Sequence, residues 1–240
     1  MSSARNPKSK PAFAPNSKPA FAPNSILVID VGGNNVKVGL GGQKEPLKVP
    51  SGPTMTAAQM VAGVKKATVG WKYDAVTIGF PGPVKNNQPA REPANLAGGW
   101  TKLDYAKAFG KPVRIVNDAA LQALGSHVGG RMLFLGLGTG LGSTLVSDHS
   151  VVPLELAHLP YRKGGTYEDY VGERGLKRLG AKKWTAHVAK VVALLRDALQ
   201  VDHVVLGGGQ TKKLKVVPPD VKLGLGNAAL VGGVRFWSRS

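Results

Sequence analysis

Ile26-Leu27-Val28-Ile29-Asp30-Val31-Gly32-Gly33-Asn34-Asn35-Val36-Lys37 is the stretch from which the fold can be read. Four apolar residues run into Asp30, and two glycines, two amides and a lysine close the segment. The apolar run is the pattern of a buried strand. Its end sets a carboxylate beside a backbone that can turn tightly. Glycines there permit positive φ and leave amide N–H groups uncovered, as a phosphate group requires. A carboxylate at a phosphate site commonly faces hydrated Mg²⁺, which makes Asp30 the candidate metal ligand. Taken alone, the stretch also fits an ordinary hairpin closed by a turn of the Asp-Gly kind.

Residues 132–146 repeat the pattern. Met132-Leu133-Phe134-Leu135 leads into alternating Gly136, Gly138, Gly140 and Gly142, and Ser143-Thr144-Leu145-Val146 continues as a second strand. Thr139 and Ser143 add hydroxyl donors. Two glycine hairpins about a hundred residues apart point to a duplicated domain that grips a phosphate donor between its copies.

A chain of 240 residues holds one large domain or two small ones. Lys and Arg total 32 against 14 acidic residues, a net charge of +18. That excess speaks of partners: nucleic acid, an anionic membrane face, an inorganic polyphosphate, or none beyond water. With no cysteine, disulfides and thiolate metal sites are excluded. Five scattered histidines supply no His-Glu-x-x-His pair. No apolar run nears the roughly 18 residues of a membrane span, and the N-terminus has no signal-peptide core, so a cytoplasmic location is expected.

Ser9–Asn16 recurs residue for residue as Ser17–Asn24. Its prolines disfavour helix and central strand, and residues 1–25 read as a mobile extended arm. Strands are expected at 26–30, 36–40 and 75–80, and helices at 56–68 and 103–109, completing a first domain over 26–114. The second domain, 115–240, opens with a strand at 113–116. It continues with a helix at 119–126, the glycine hairpin, a loop at 147–166, and helices near 168–179 and 182–200. A strand at 204–206 and a terminal helix at 227–237, expected to pack back on the first domain, complete it. Strands and helices in two similar halves indicate an α/β architecture.

Asn117-Asp118 falls where a strand ends and a helix begins, the edge at which α/β folds collect ligands. Asp118 there serves either as an N-cap or as the base that takes a proton from an alcohol acceptor. Glu155 and His158 are three apart; on one helical turn they would share a face and suit sugar hydroxyls. Asn95 offers another amide, and Trp100 either a stacking face or a half-buried core residue.

In order, Ile29–Lys37, Gly79–Val84, Val116–Ala119, Leu137–Ser143, Glu155–Pro160 and Gly207–Gly209 resemble the ROK sugar kinases of the actin-like, hexokinase-type ATPase superfamily. Tyr161–Gly164 and Tyr167–Tyr170 are similar to the polyphosphate glucokinases among them. The resemblance runs from about Ile26 to Trp237. It implies two actin-like (ribonuclease H-like) domains with a cleft between them, and transfer of a phosphoryl group from inorganic polyphosphate, or ATP, to the 6-hydroxyl of glucose with Mg²⁺. Asp118 is then the base. Asn95, Asn117, Glu155, His158 and Glu168 hold glucose with it. Asp30, Gly32, Gly33, Asn34, Asn35 and Lys37 form one phosphate loop; Gly138, Thr139, Gly140 and Gly142 form the other; Gly207, Gly208 and Gly209 end the donor groove. A homodimer is implied, with no nucleic-acid or membrane partner. Asn34 stands where the family places Thr, and Leu225-Gly226-Asn227 where close relatives place Gly-Asp-Asn. A strictly ATP-dependent hexose kinase and a sugar-binding protein without catalysis are the alternatives. A regulator of the same family would need a helix-turn-helix, which the proline-rich repeat cannot form.

Overall fold

The computed structural model describes residues 21–148 and 150–238. Two five-stranded mixed sheets make up the molecule. In the first, β1 (Ile26–Val31), β2 (Asn35–Leu40) and β3 (Leu47–Pro50) form an antiparallel meander. Helix α1 (Ala57–Ala67) then crosses to β4 (Ala75–Phe80), parallel to β1. A small hairpin, β5 (Val84–Lys85) and β6 (Gln88–Pro89), and α2 (Tyr105–Phe109) lead to β7 (Val113–Asn117), parallel to β4. The order is β3-β2-β1-β4-β7. All six residues of β1 and of β4 are buried, as strands covered on both faces require.

Helix α3 (Asp118–Ser126) leads to the second sheet. There β8 (Met132–Leu137), β9 (Leu141–Val146) and β10 (Val151–Leu154) repeat the antiparallel meander. A hairpin of β11 (Pro160–Arg162) and β12 (Gly165–Thr166), then α4 (Tyr167–Val171) and α5 (Glu173–Leu199), precede β13 (His203–Gly207). The parallel pair β13 and β14 (Val221–Leu223) completes the order β10-β9-β8-β13-β14, and α6 (Ala228–Arg235) follows. Both sheets thus share one topology: two antiparallel pairings, then two parallel ones.

Helices α3 and α6 lie between the sheets and cross at contact. A Cβ on Gly125 would sit 1.8 Å from the Ala228 carbonyl oxygen, and one on Gly232 would sit 1.9 Å from that of Leu121. Backbones this close admit only glycine. Arg235 donates to the carbonyls of Leu124 (2.9 Å) and His127 (2.7 Å), closing the end of α3. Helix α3 leaves the last strand of the first sheet and packs on β8, β9 and β10; α6 leaves the second sheet and packs on β1 and β4.

Several expectations are corrected. The strand at 113–116 belongs to the first sheet, because its partner is β4 (Val76↔Val113 through Phe80↔Asn117), a parallel neighbour across a crossover that local pattern does not reveal. The stretch 147–166 is not all loop: β10 and the β11–β12 hairpin lie within it. The break expected between two long helices sits at Gly180, whose φ of 71° no helix accommodates, but the first of the two is itself divided at extended Gly172, which separates α4 from α5. Residues 1–20 of the expected mobile arm lie outside the described residues, but 21–25 are seated: Phe21 packs edge-on against Trp237, with ring centroids 4.9 Å apart. Among the described residues no helix is long and apolar enough to cross a membrane.

Candidate active site

Register builds the site. The antiparallel pairing of β1 and β2 sets Asp30 directly opposite Lys37, so their side chains share one face, and Lys37 Nζ lies 3.3 Å from Asp30 Oδ2. The parallel pairing of β1 with β4 sets Gly79 beside Asp30. A Cβ on Gly79 would lie 3.4 Å from Asp30 Oδ1, 3.4 Å from the Asp118 Cα and 2.7 Å from Leu121 Cδ2. The glycine therefore lets β4 accept α3 closely and brings two carboxylates to the same strand ends.

Asn117 supplies the helix cap: its side-chain oxygen accepts from Ala120 N (3.1 Å) and its amide donates to the Gly82 carbonyl (3.2 Å). Asp118 is thereby released from the capping task weighed for it, and its Oδ1 accepts from Ala119 N at 2.8 Å. The carboxyl opens into a cleft of about 370 Å³, with protein packed around its other sides. Burial first, then the charge of Asp30, push it up to about 7, against the pull of the Ala119 amide and Lys37. A base of this kind is best poised near the working pH. Burial also raises the Asp30 carboxyl, while Lys37 and Gln122 hold it back.

Most of the expected site residues line this cleft: Gly32, Gly33, Lys37, Asn95, Asn117, Asp118, Gly138, Thr139, Gly140, Gly142, Glu155, His158, Glu168, Gly208 and Gly209. Four do not. Asp30 lies behind the wall, bordering a cavity of about 20 Å³ with Lys37 and Gln122. Asn34 and Asn35 are exposed at a hairpin tip closed by Gly32 N–H donating to Asn35 O (3.1 Å). Gly207 is buried in β13, where a side chain would strike the Phe134 ring at 2.5 Å.

The glycines act differently from the expectation of positive φ. Among those of the three loops only Gly208 is left-handed, at φ 86°. Gly32, Gly140 and Gly142 make room, whereas a side chain on Gly33, Gly138 or Gly209 would meet no close neighbour. A Cβ on Gly32 would meet Asn35 O at 2.8 Å, on Gly140 Glu168 Oε2 at 2.3 Å, and on Gly142 the Ala119 Cβ at 2.9 Å. The tip of the second loop rests on α5: Glu173 N donates to the carbonyls of Gly138 (3.1 Å) and Thr139 (3.2 Å).

Glu155 and His158 do not share a helical turn. They sit on an exposed turn after β10, and both still face the cleft. Ser143, expected to face phosphate, is buried and holds that turn instead: its Oγ donates to Leu154 O (2.8 Å) and accepts from Leu156 N (3.2 Å). Glu168 Oε1 pairs with Arg174 at 3.3 Å. Trp100 is fully buried, its ring N–H donating to Ala97 O at 2.7 Å, so it offers no stacking face. Sequence reading missed Gly79 and Gln122. Gln122 is four residues beyond Asp118, one turn along the same face of α3, which is a signal the sequence did contain. Among the described residues no group of three or more His, Asp or Glu side chains is placed to hold a metal.

The model of the ROK family matches residues 26–153. Polyphosphate glucokinase of Mycobacterium tuberculosis is 28% identical over 245 aligned residues, covering 88% of this chain and 89% of the relative. That of Mycobacterium leprae is 26% identical, covering 77% and 63%. Among solved structures, the inorganic polyphosphate/ATP-glucomannokinase of Arthrobacter sp. strain KM superposes with a TM-score of 0.73 at 23% identity, covering 89% of this chain and 98% of that one. A ROK family glucokinase of Streptomyces griseus, solved with glucose and AMPPNP, gives 0.72 at 18%, covering 88% and 98%. These two likenesses show the shared fold.

Proposed function

The chain belongs to the ROK family, and on that premise we propose that it phosphorylates the 6-hydroxyl of glucose, with inorganic polyphosphate as its main donor and ATP as a lesser one. The observation that carries the reading is Asp118: a carboxyl held up to about 7, open to a cleft that both glycine hairpins line. Asp118 takes the hydroxyl proton as the sugar oxygen bonds to the terminal phosphorus; the bond from that phosphorus to its bridging oxygen breaks, and the donor leaves one phosphate shorter. Asn95, Glu155, His158 and Glu168 bind the sugar hydroxyls. Asn117, its amide spent on Ala120 and Gly82, acts by positioning α3. Lys37 meets the phosphoryl group.

Mg²⁺ fits this site as an ion carried in with the donor phosphates. Asp118 is the carboxylate in the cleft that would hold the ion; Asp30, behind the wall on a separate small cavity, would act on it only through its charge. One or two carboxylates with water and phosphate oxygens suffice for Mg²⁺, whose bound charge offsets that developing on the transferred group.

The preference for a polymer rests on charge outside the cleft. Gly208 and Gly209 line the wall. The turn they open carries exposed Lys212 and Lys213. Lys215 follows, its N–H donating to Thr185 Oγ1 on α5 at 3.1 Å, and Lys182 shares a groove with it. Residues 161–240 carry 15 Lys/Arg against 6 Asp/Glu. A long polyanion gains from such a track, whereas ATP engages only its near end. The test is turnover of glucose with polyphosphate and with ATP, each with Mg²⁺. Faster turnover with ATP overturns the donor assignment; glucose binding without transfer from either donor overturns catalysis. The expected homodimer is read by light scattering in the same preparation.

A further inference from the structure

Trp237, just beyond α6, anchors a seat built from both ends of the chain. Its ring N–H donates to Thr77 Oγ1 at 2.8 Å, and that hydroxyl donates to Gly233 O at 2.9 Å. The Arg114 guanidinium lies 4.6 Å over the indole and donates to Phe236 O at 2.7 Å. Phe21 meets the indole edge-on, at 89° between the rings. The next residues are fixed as well: Ser25 N and Oγ both donate to Ala22 O (2.9 and 3.1 Å), and Asp74 N donates to Ser25 O (2.8 Å). Gly41 makes room for them, since a Cβ there would lie 2.1 Å from Pro23 O. What is bound is thus a five-residue segment, Phe21-Ala22-Pro23-Asn24-Ser25, held by an aromatic pair, a proline-shaped backbone and a serine lock.

The chain carries that segment twice. Phe13-Ala14-Pro15-Asn16-Ser17 has the same five residues in the same order, and the two copies diverge only afterwards, at Lys18 against Ile26. The contacts of Phe21 with Trp237 and of the Pro23 carbonyl at Gly41 are made by residues that both copies possess; the Ser25 carbonyl, joined to Ile26 of β1, is supplied by the second copy alone. The described residues show one seat for two matching segments. We propose that the Trp237 surface is a binding site for a Phe-Ala-Pro segment, and that residues 13–15 of the same chain are its second occupant, exchanging with residues 21–23.

A tethered segment has a far higher effective concentration than one on another molecule, which favours exchange within the chain. Seating residues 13–15 turns residues 16–24 into a loop. Loop closure costs grow only logarithmically with length, so this register holds on the order of a tenth of molecules or fewer until Phe21 is lost. The seat ties the end of α6 to β4, and α6 crosses the helix that begins at Asp118. Occupancy therefore bears on the helix pair between the two sheets, whichever segment supplies it.

Fluorine NMR of protein made with fluorophenylalanine reads the exchange directly, because the six phenylalanines give six assignable signals. In Phe21→Ala the Phe13 signal should move away from its position in the parent, under the ring current of Trp237. It should move back when Gly41→Ala is added to block the seat. The signals of Phe80, Phe109, Phe134 and Phe236 report that the variants remain folded. Melting provides the second measurement: Phe13→Ala should be silent alone, while Phe13→Ala with Phe21→Ala should lower Tm by several degrees more than Phe21→Ala alone, about 2–4 °C per kcal/mol for a chain of this size. A Phe13 signal that stays put in Phe21→Ala overturns the proposal, as does a double variant that melts with Phe21→Ala.

Discussion

Asp118→Asn should abolish catalysis and stabilise the protein, and the stabilisation should grow with pH. The carboxyl ionises near 3.8 when unhindered and near 7 in the fold. A raised carboxyl pKa means that the folded state disfavours the charged form. The associated stability is complete below pH 3.8 and is lost as pH rises through 7. Worked from these two values, the strain is up to about 2 kcal/mol at pH 5 and about 4 kcal/mol at pH 8. Asparagine keeps the hydrogen bond, since its oxygen still accepts from Ala119 N, and it cannot acquire charge. It also relieves Asp30, whose own ionisation no longer meets a second carboxylate. The gain in Tm over the parent should therefore widen by about 5–10 °C between pH 5 and pH 8, at roughly 2–4 °C per kcal/mol. Loss of a general base costs about 10²–10⁴ in turnover. Calorimetry at the two pH values and a coupled glucose 6-phosphate assay read both effects. A variant within about tenfold of parental turnover would refute the base, since loss of such a group costs far more. A Tm gain that is the same at both pH values would refute the origin of the shift.

Asp30→Asn should move the acid limb of kcat/KM from near 7 to lower pH, because the charge that helps raise Asp118 is gone; an unmoved limb assigns that titration elsewhere. Gly125→Ala should destabilise by about 3 kcal/mol, read by urea unfolding, because its Cβ would press 1.8 Å from a backbone carbonyl of α6 that no rotamer change relieves. Lys182→Glu with Lys183→Glu should raise KM for long polyphosphate several-fold, flatten its salt dependence and leave KM for ATP nearly unchanged. An equal loss for both donors would place the polymer elsewhere.

The site was legible where its chemistry is local. The apolar run into Asp30, the alternating glycines at 136–142 and the Asn117-Asp118 junction each announce a strand end, and the cleft gathers most of what they named. What was not legible depends on partners distant in sequence. Nothing near Gly79 says that Leu121 and Asp118 will crowd it, and nothing near Ser143 says that its hydroxyl will face Leu154 and Leu156 instead of phosphate. The strand at 113–117 was found, but its sheet is decided by β4, more than thirty residues earlier. Asn34 and Asn35 were misplaced because a glycine turn directs its tip outward once Gly32 N–H bonds Asn35 O, a closure that composition does not encode.

The distribution of charge separates the two sides of the reaction. Within the cleft, Asp118, Glu155 and Glu168 face one lysine, Lys37. With Glu168 paired to Arg174, a polyanion entering that space still finds no excess of positive charge, although the chain as a whole carries +18. The exposed lysines Lys212, Lys213, Lys215 and Lys182 stand outside, beyond Gly209. On the proposed reading, binding and transfer depend on different groups: the exterior lysines would hold the length of the donor, while only its terminal phosphate, with its metal, would pass the glycines to Asp118. A donor lacking that length loses the first set of contacts and keeps the second, so polymer length should act on KM while kcat stays nearly constant.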